Sequence, residues 1–248
     1  MSPSIDSREN REFASEMKFL VSPELADQVR GWARGHLSAD PYAGGEAGDG
    51  YQITSLYFDN EPFDVFHRRG SYGRSKFRIR RYGQGEVVFL ERKLKTRGLL
   101  TKRRSMVKVD QLERLSEPEA RKGWAGYWFH RRLLARGLNA VCQISYRRTA
   151  RVAMTPYGPI RLTLDDNLCA LPAAGLWFSE QAATPLMNDQ IILELKFRYG
   201  MPALFKYLVE EFALTPKPFS KYRLAAAVLD LAPPPAAEAE DDFCSQHA

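Results

Sequence analysis

Cations recur at every second position along several stretches of this chain, with an apolar residue between them. In Lys76-Phe-Arg-Ile-Arg80 the pattern is unbroken. Successive side chains of an extended strand point to opposite faces, so Lys76, Arg78 and Arg80 share one face and Phe77 and Ile79 the other. The same division places Glu91, Lys93 and Lys95 against Leu90 and Leu94, and pairs Glu16 with Lys18 across Met17. Lys102 with Arg104, Arg161 with Asp165, and Glu194 with Lys196 and Arg198 repeat it. An antiparallel sheet that shows one face to water also carries Lys and Arg there, but such faces usually mix signs. Like charges opposite one another on neighbouring strands repel, so a face this basic points to a polyanion. Guanidinium forks and ammonium groups suit phosphate oxygens.

Four carboxylates sit among these cations: Glu16, Glu91, Asp165 and Glu194. Each pairs with its neighbours or offers hard oxygen ligands to Mg²⁺ or Mn²⁺, which bridges phosphate oxygens during phosphoryl transfer. Glu194 is the leading metal candidate because Glu-Leu-Lys interrupts an otherwise apolar strand. His36, His67, His130 and His247 are isolated, and no Ser-His-Asp set or Walker loop is evident.

These side chains need strands to align them. Eight runs have strand character: Glu12–Val21, Tyr51–Phe58, Lys76–Tyr82, Val87–Lys95, Arg103–Val109, Val141–Ala150, Pro159–Leu164 and Gln190–Tyr199. Helical patterns are expected at Pro23–Leu37, opened by Ser22 and Pro23, after a cap at Asp110, and over Ala125–Arg136 and Pro202–Phe212. The expected class is α+β, mostly antiparallel, and eight short strands suggest either an eight-stranded barrel with helices packed outside or a sandwich. Curling the sheet turns the charged face inward, as a tunnel.

The chain has 248 residues, 44% of them hydrophobic, with net charge +6, which suits one large domain and an anionic partner. Residues 1–10 and 232–248 are polar or Pro-, Ala- and acid-rich and are expected as disordered tails around a domain at 11–231. Cys142, Cys169 and Cys244 are odd in number and irregularly spaced, which indicates a reducing, cytoplasmic setting. No apolar run approaches the roughly 20 residues of a spanning helix, so membrane association is expected only through a partner.

The ordered motifs Glu16-Met-Lys18-Phe, Ser55-Leu-Tyr-Phe-Asp59, Lys76-Phe-Arg-Ile-Arg-Arg-Tyr-Gly83, Phe89-Leu-Glu-Arg-Lys93, Tyr146-Arg-Arg-Thr-Ala150, Arg161-Leu-Thr-Leu-Asp165, Leu193-Glu-Leu-Lys196 and Phe219-Ser-Lys-Tyr222 resemble the vacuolar transporter chaperone (VTC) domain. This is a polyphosphate polymerase branch of the triphosphate tunnel metalloenzyme, or CYTH-like, superfamily. The resemblance implies an antiparallel tunnel that transfers the terminal phosphoryl group of a nucleoside triphosphate such as ATP to inorganic polyphosphate. Lys18, Arg78, Arg80, Lys93, Arg148, Arg161 and Lys221 are implied as catalytic phosphate-holding residues. Lys102, Arg104, Tyr146, Lys196 and Ser220 are implied as substrate-binding, and Glu194 as metal ligand. The superfamily opens with Glu-x-Glu-x-Lys, whereas Ala14 stands at the first acidic position here. VTC-type members share that departure, which favours the polymerase branch.

Three other readings stay open on the sequence. They are an inorganic triphosphatase or polyphosphatase with the same tunnel, a non-catalytic polyphosphate sensor, and a nucleic-acid binder. Nucleic acid is not expected, because Phe77 lies on the face opposite Arg78, so base stacking and phosphate contact would not share a surface.

Overall fold

The computed structural model describes residues 6–7, 15–44, 48–96 and 99–232. Eight long strands carry the architecture: β1 (Ser15–Val21), β2 (Gly50–Asp59), β3 (Ser75–Tyr82), β4 (Val87–Thr96), β5 (Leu99–Lys108), β6 (Asn139–Thr155), β7 (Gly158–Pro172) and β8 (Ile191–Phe197). They form one antiparallel sheet in the order β5-β4-β3-β2-β6-β7-β8-β1. All eight expected strands are present, with β6 and β7 longer than their alternation suggested.

Three two-residue strands extend the sheet. Asp6–Ser7 pairs with β5, Ser38–Ala39 with β6 and Thr184–Pro185 with β7. Among the described strands no ladder joins β5 to β1, so hydrogen bonds do not close the ring. Side chains cross the gap instead: Lys93 of β4 reaches Glu16 of β1 at 2.8 Å. The segment before α4 adds a second crossing. The Lys217 amide bonds the Lys18 carbonyl, Lys18 Nζ donates to the Phe219 carbonyl at 3.3 Å, and Lys76 of β3 donates to Ser220 Oγ at 2.8 Å. The sheet is therefore barrel-like, with side chains and a loop completing the circle.

The strands put apolar residues on the convex face, where helices cover them. Helix α1 (Pro23–His36) starts as its sequence dictates: Ser22 Oγ accepts from the Leu25 amide and Pro23 stands at the first turn, where its missing N–H is harmless. Its buried face, Ala26, Val29, Trp32 and Ala33, packs on Phe19, Leu162, Leu164, Leu193 and Leu195. Helix α3 (Ala203–Glu211) joins that cluster through Phe205 and Leu208. Helix α2 (Tyr127–Arg136) covers the other half, with Phe129 edge-on to Phe58 and Phe77. Asp110 does not cap the following turn as expected. A 3-10 helix spans Val109–Ser116 with Lys108 as its N-cap, and Asp110 lies within its first turn.

Two helices have no counterpart in the sequence reading, a single turn at Asp64–His67 and α4 (Lys221–Val228), which lacks a clear apolar period. Helix α4 lies on the concave face rather than outside. Tyr222 stacks on Tyr57, and Lys221 sits over the Tyr146 ring; both partners share the inward face of their strands. Ala225 and Ala226 bury against the sheet, their small side chains permitting close approach. Asp59, at the end of β2, fixes this helix. Its carboxylate accepts from the amides of Asn60, Val65 and Phe66 and from the Tyr222 hydroxyl.

Among the described residues no helix is long and apolar enough to cross a membrane, and Cys142 and Cys169 are free thiols. The expected tails fall outside the described residues except for Asp6–Ser7 and position 232. Ala14, Cys244 and His247 also lie outside, as does the side chain of Lys95.

Candidate active site

Strand register sorts the inward side chains into rows. Lys76, Lys93 and Lys102 stand opposite one another across β3, β4 and β5, and Arg78, Glu91 and Arg104 form the next row. On the other side, Lys18, Glu194 and Thr163 align across β1, β8 and β7, followed by Glu16, Lys196 and Arg161. These rows enclose a space of about 100 Å³ that α4 enters with its N-terminal residues Ser220, Lys221 and Tyr222. Eight of its lining side chains are Lys or Arg, namely Lys18, Lys76, Arg78, Arg80, Lys93, Arg148, Lys196 and Lys221, against two carboxylates, Glu16 and Glu194.

The carboxylates play two different parts. Glu91 and Asp165, expected as metal ligands, are instead committed to cations. Glu91 is buried and meets Arg78 Nε at 2.7 Å, Arg104 Nε at 3.1 Å and Lys102 Nζ at 3.2 Å. Burial alone pushes its pKa up, but Arg78, Lys102, Arg80 and Arg104 override that and hold it well below the carboxylate range. Asp165 receives both forks of Arg148, at 2.6 and 2.7 Å, and Lys221 Nζ at 2.6 Å.

Glu16 and Glu194 share ammonium groups only. Lys18 lies 2.8 Å from Glu16 and 3.5 Å from Glu194; Lys196 lies 2.5 Å from Glu194 and 4.0 Å from Glu16. Burial and the adjacent Glu194 raise the pKa of Glu16, yet Lys196, Lys93 and Lys18 bring it to about 2, so both carboxylates are ionised near neutrality. Mg²⁺ typically takes one or two protein carboxylates and completes its shell with water and substrate phosphate. Glu16 and Glu194 fit that sparse set, while no group of three or more His, Cys, Asp or Glu converges among the described residues.

The cations also divide. Arg80 is buried, and its contacts are neutral: Ser55 Oγ at 3.3 Å and the Tyr146 hydroxyl at 3.1 Å. No described carboxylate lies within ion-pair distance of it. Lys76 is the second such group. Burial first, then Lys18, Lys93, Arg68 and Arg78, lower its pKa to about 7. Three residues expected at the site stand behind the central space. Lys102 and Arg104 converge on Glu91, with Arg104 stacked over Phe89 at 3.6 Å. Arg161 reaches Asp40 at 2.6 Å and the Tyr51 hydroxyl at 2.7 Å.

Sequence parity put Lys76 on the basic face but gave it no individual role, and it singled out neither Tyr57 nor Thr163, although all three occupy inward positions. Beyond Lys76 the space opens into a second cavity of about 630 Å³, lined by Arg68, Lys217 and Arg223 together with Lys18 and Phe219. Arg68 and Arg223 lie on irregular or helical segments, where no strand parity marks them.

Comparison with solved structures matches this fold. A Bacillus halodurans protein described as a candidate adenylate cyclase aligns with a TM-score of 0.53 at 16% identity, covering 83% of this chain and 92% of that one. A Hippeastrum protein, a candidate adenylyl cyclase described as having a dominant triphosphatase activity, aligns with a TM-score of 0.46 at 15% identity, covering 87% and 94%. No curated protein matches the chain. The family model for the VTC domain matches residues 13–230, nearly the whole described fold with its inward ring of cations, and the chain belongs to the VTC domain family.

Proposed function

We propose that this protein is a polyphosphate polymerase, moving the terminal phosphoryl group of a nucleoside triphosphate onto a polyphosphate chain within the tunnel. The observation that carries the reading is the enclosed cation surplus around Arg80 and Lys76, which lack carboxylate partners. A buried unpaired guanidinium is costly, and a phosphate chain supplies the missing charge. Phosphoryl transfer asks mainly for in-line positioning and neutralisation of charge spread over the equatorial oxygens. Arg78 and Arg148, each oriented by its buried carboxylate, hold phosphate oxygens in fixed directions. Lys18, Lys93, Lys196 and Lys221 surround the transferred group, and the N-terminus of α4 adds its amide dipoles. Glu16 and Glu194 would hold Mg²⁺ or Mn²⁺, which when bound neutralises phosphate charge. The basic cavity beyond Lys76 supports transfer over hydrolysis, because it gives an anionic chain room past the reacting group.

Incubation with ATP and Mn²⁺ is expected to yield long polyphosphate, detected by gel electrophoresis. Glu194→Gln is expected to lower that rate by roughly 100-fold while triphosphate still binds. Orthophosphate as the sole product would instead establish a hydrolase. Absence of any turnover in the unaltered chain, with binding intact, would establish a sensor.

A further inference from the structure

We infer that the basic cavity beside Lys76 senses acceptor length: Arg68, Lys217 and Arg223 grip phosphates of the polyphosphate chain that lie beyond its reacting end. The inference rests on the transfer reaction proposed above and adds to it the residues that hold the acceptor and set product length. The cavity measures about 630 Å³ against about 100 Å³ for the central space, and Lys18, Lys76 and Ser220 line both, so one anionic chain can occupy the two together. Five cations line the cavity, Lys18, Arg68, Lys76, Lys217 and Arg223. Glu16, the carboxylate among its described lining residues, is already engaged by Lys18 and Lys93 at 2.8 Å each.

Among the described residues, Arg68, Lys217 and Arg223 have no carboxylate within ion-pair distance. Arg223 Nε is shielded from water without a hydrogen-bond acceptor, and its guanidinium lies over the Phe66 ring at 5.7 Å. Burial and then Arg68 push Arg223 below its ordinary pKa, and Arg68 also acts on Lys76, so the three charges feel one another. The backbone holds both walls in place. Arg68 has a φ of 61°, which residues other than glycine adopt only where their surroundings impose it. Its amide donates to the Asp64 carbonyl, and Gly73 packs on the Arg68 backbone where a Cβ would collide. Opposite, Pro218 restricts Lys217 to extended backbone, and the Lys217 amide is tied to the Lys18 carbonyl. Forked and point-charge donors with no free acid between them suit a ligand that carries charge on every repeating unit. A linear phosphate chain does so, whereas a nucleoside does not.

Calorimetric titration of the full chain with tripolyphosphate and with long-chain polyphosphate separates the two spaces. Arg68→Gln and Arg223→Gln are each expected to weaken the long chain about tenfold, in line with loss of one charge-assisted hydrogen bond, and tripolyphosphate much less. Lys217→Gln should act in the same direction; Arg68 and Lys217 are exposed, so their replacement leaves folding intact. In the assay with ATP and Mn²⁺ the same variants are expected to release shorter polymer. Lys206→Gln, at an exposed position of α3, should leave the ratio of the two affinities unchanged. An equal loss in Lys206→Gln would assign the effect to net charge and overturn the inference. So would variants that weaken both anions by one factor, or neither, or that weaken ATP alone, which would give the cavity to the donor's nucleoside. An unaltered chain that makes no polymer yet keeps the length-dependent affinity would refute the transfer reaction and still uphold the cavity as the place where long chains are gripped.

Discussion

At the scale of single residues, the site is organised by which cations have carboxylates and which do not. Arg78 and Arg148 are each fixed by a buried acid, so their direction is set before any ligand arrives, whereas Lys76 is opposed by four cations and donates only to a hydroxyl. Its pKa of about 7 lies below the ordinary 10.5, so the folded chain binds fewer protons than the unfolded one between those values. Stability of the ligand-free protein should therefore rise with pH from about 7 towards 10, and affinity for a phosphate anion should fall over the same range. Thermal melts at pH 7 and pH 9 test this. Lys76→Met should shrink the rise, and an equal slope in both proteins would rule out this role for Lys76. The inward placement of Lys76 was legible in the sequence, because alternation alone decides which face a strand residue takes. Its lowered pKa was not, since that depends on Lys93, Lys18 and Arg68, which only the sheet order and a loop bring together. For the same reason Glu91 and Asp165 looked like metal ligands. Parity put them on the charged face but could not show that register sets Glu91 between Arg78 and Arg104, or Asp165 opposite Arg148.

At the scale of elements, the strands could be read because their period and their burial agree: one face meets helices, the other meets charge. Helix α4 escaped notice because its buried surface is small. Tyr222, Ala225 and Ala226 rest on a concave wall, and the segment Lys-Tyr-Arg-Leu-Ala-Ala-Ala-Val shows no apolar stripe of the usual width. A buried hydrogen bond from the Tyr222 hydroxyl to Asp59 helps to hold it, beside the Lys221–Asp165 ion pair and the stacking of Tyr222 on Tyr57. Tyr222→Phe should destabilise the protein by about 2 kcal/mol, the usual worth of a hydrogen bond to a charged group, as measured by urea denaturation. Because Ser220 and Lys221 begin the same helix, the variant should also lose turnover. Full activity alongside reduced stability would show that the helix start is held by Lys221 and Asp165 instead.

At the scale of the whole molecule, one curved sheet separates an apolar exterior under helices from an interior whose charges do not balance. Lys76, opposed by four cations, and Arg80, a buried guanidinium without a counter-charge, are costly together unless something anionic is near. Tripolyphosphate should raise the melting temperature strongly, and a saturating excess of 100 times the dissociation constant contributes about 2.7 kcal/mol through mass action alone. Sodium chloride at equal ionic strength should reproduce little of that shift; if it reproduced all of it, general screening rather than a bound ligand would account for the effect. The unmatched charge at Lys76 and Arg80 then bears on supply as well as on chemistry. A chain that folds most securely around a bound phosphate polyanion spends more time unfolded, and is more open to degradation, when that anion is scarce. Its abundance would thereby follow the phosphate status of its surroundings without any separate regulator.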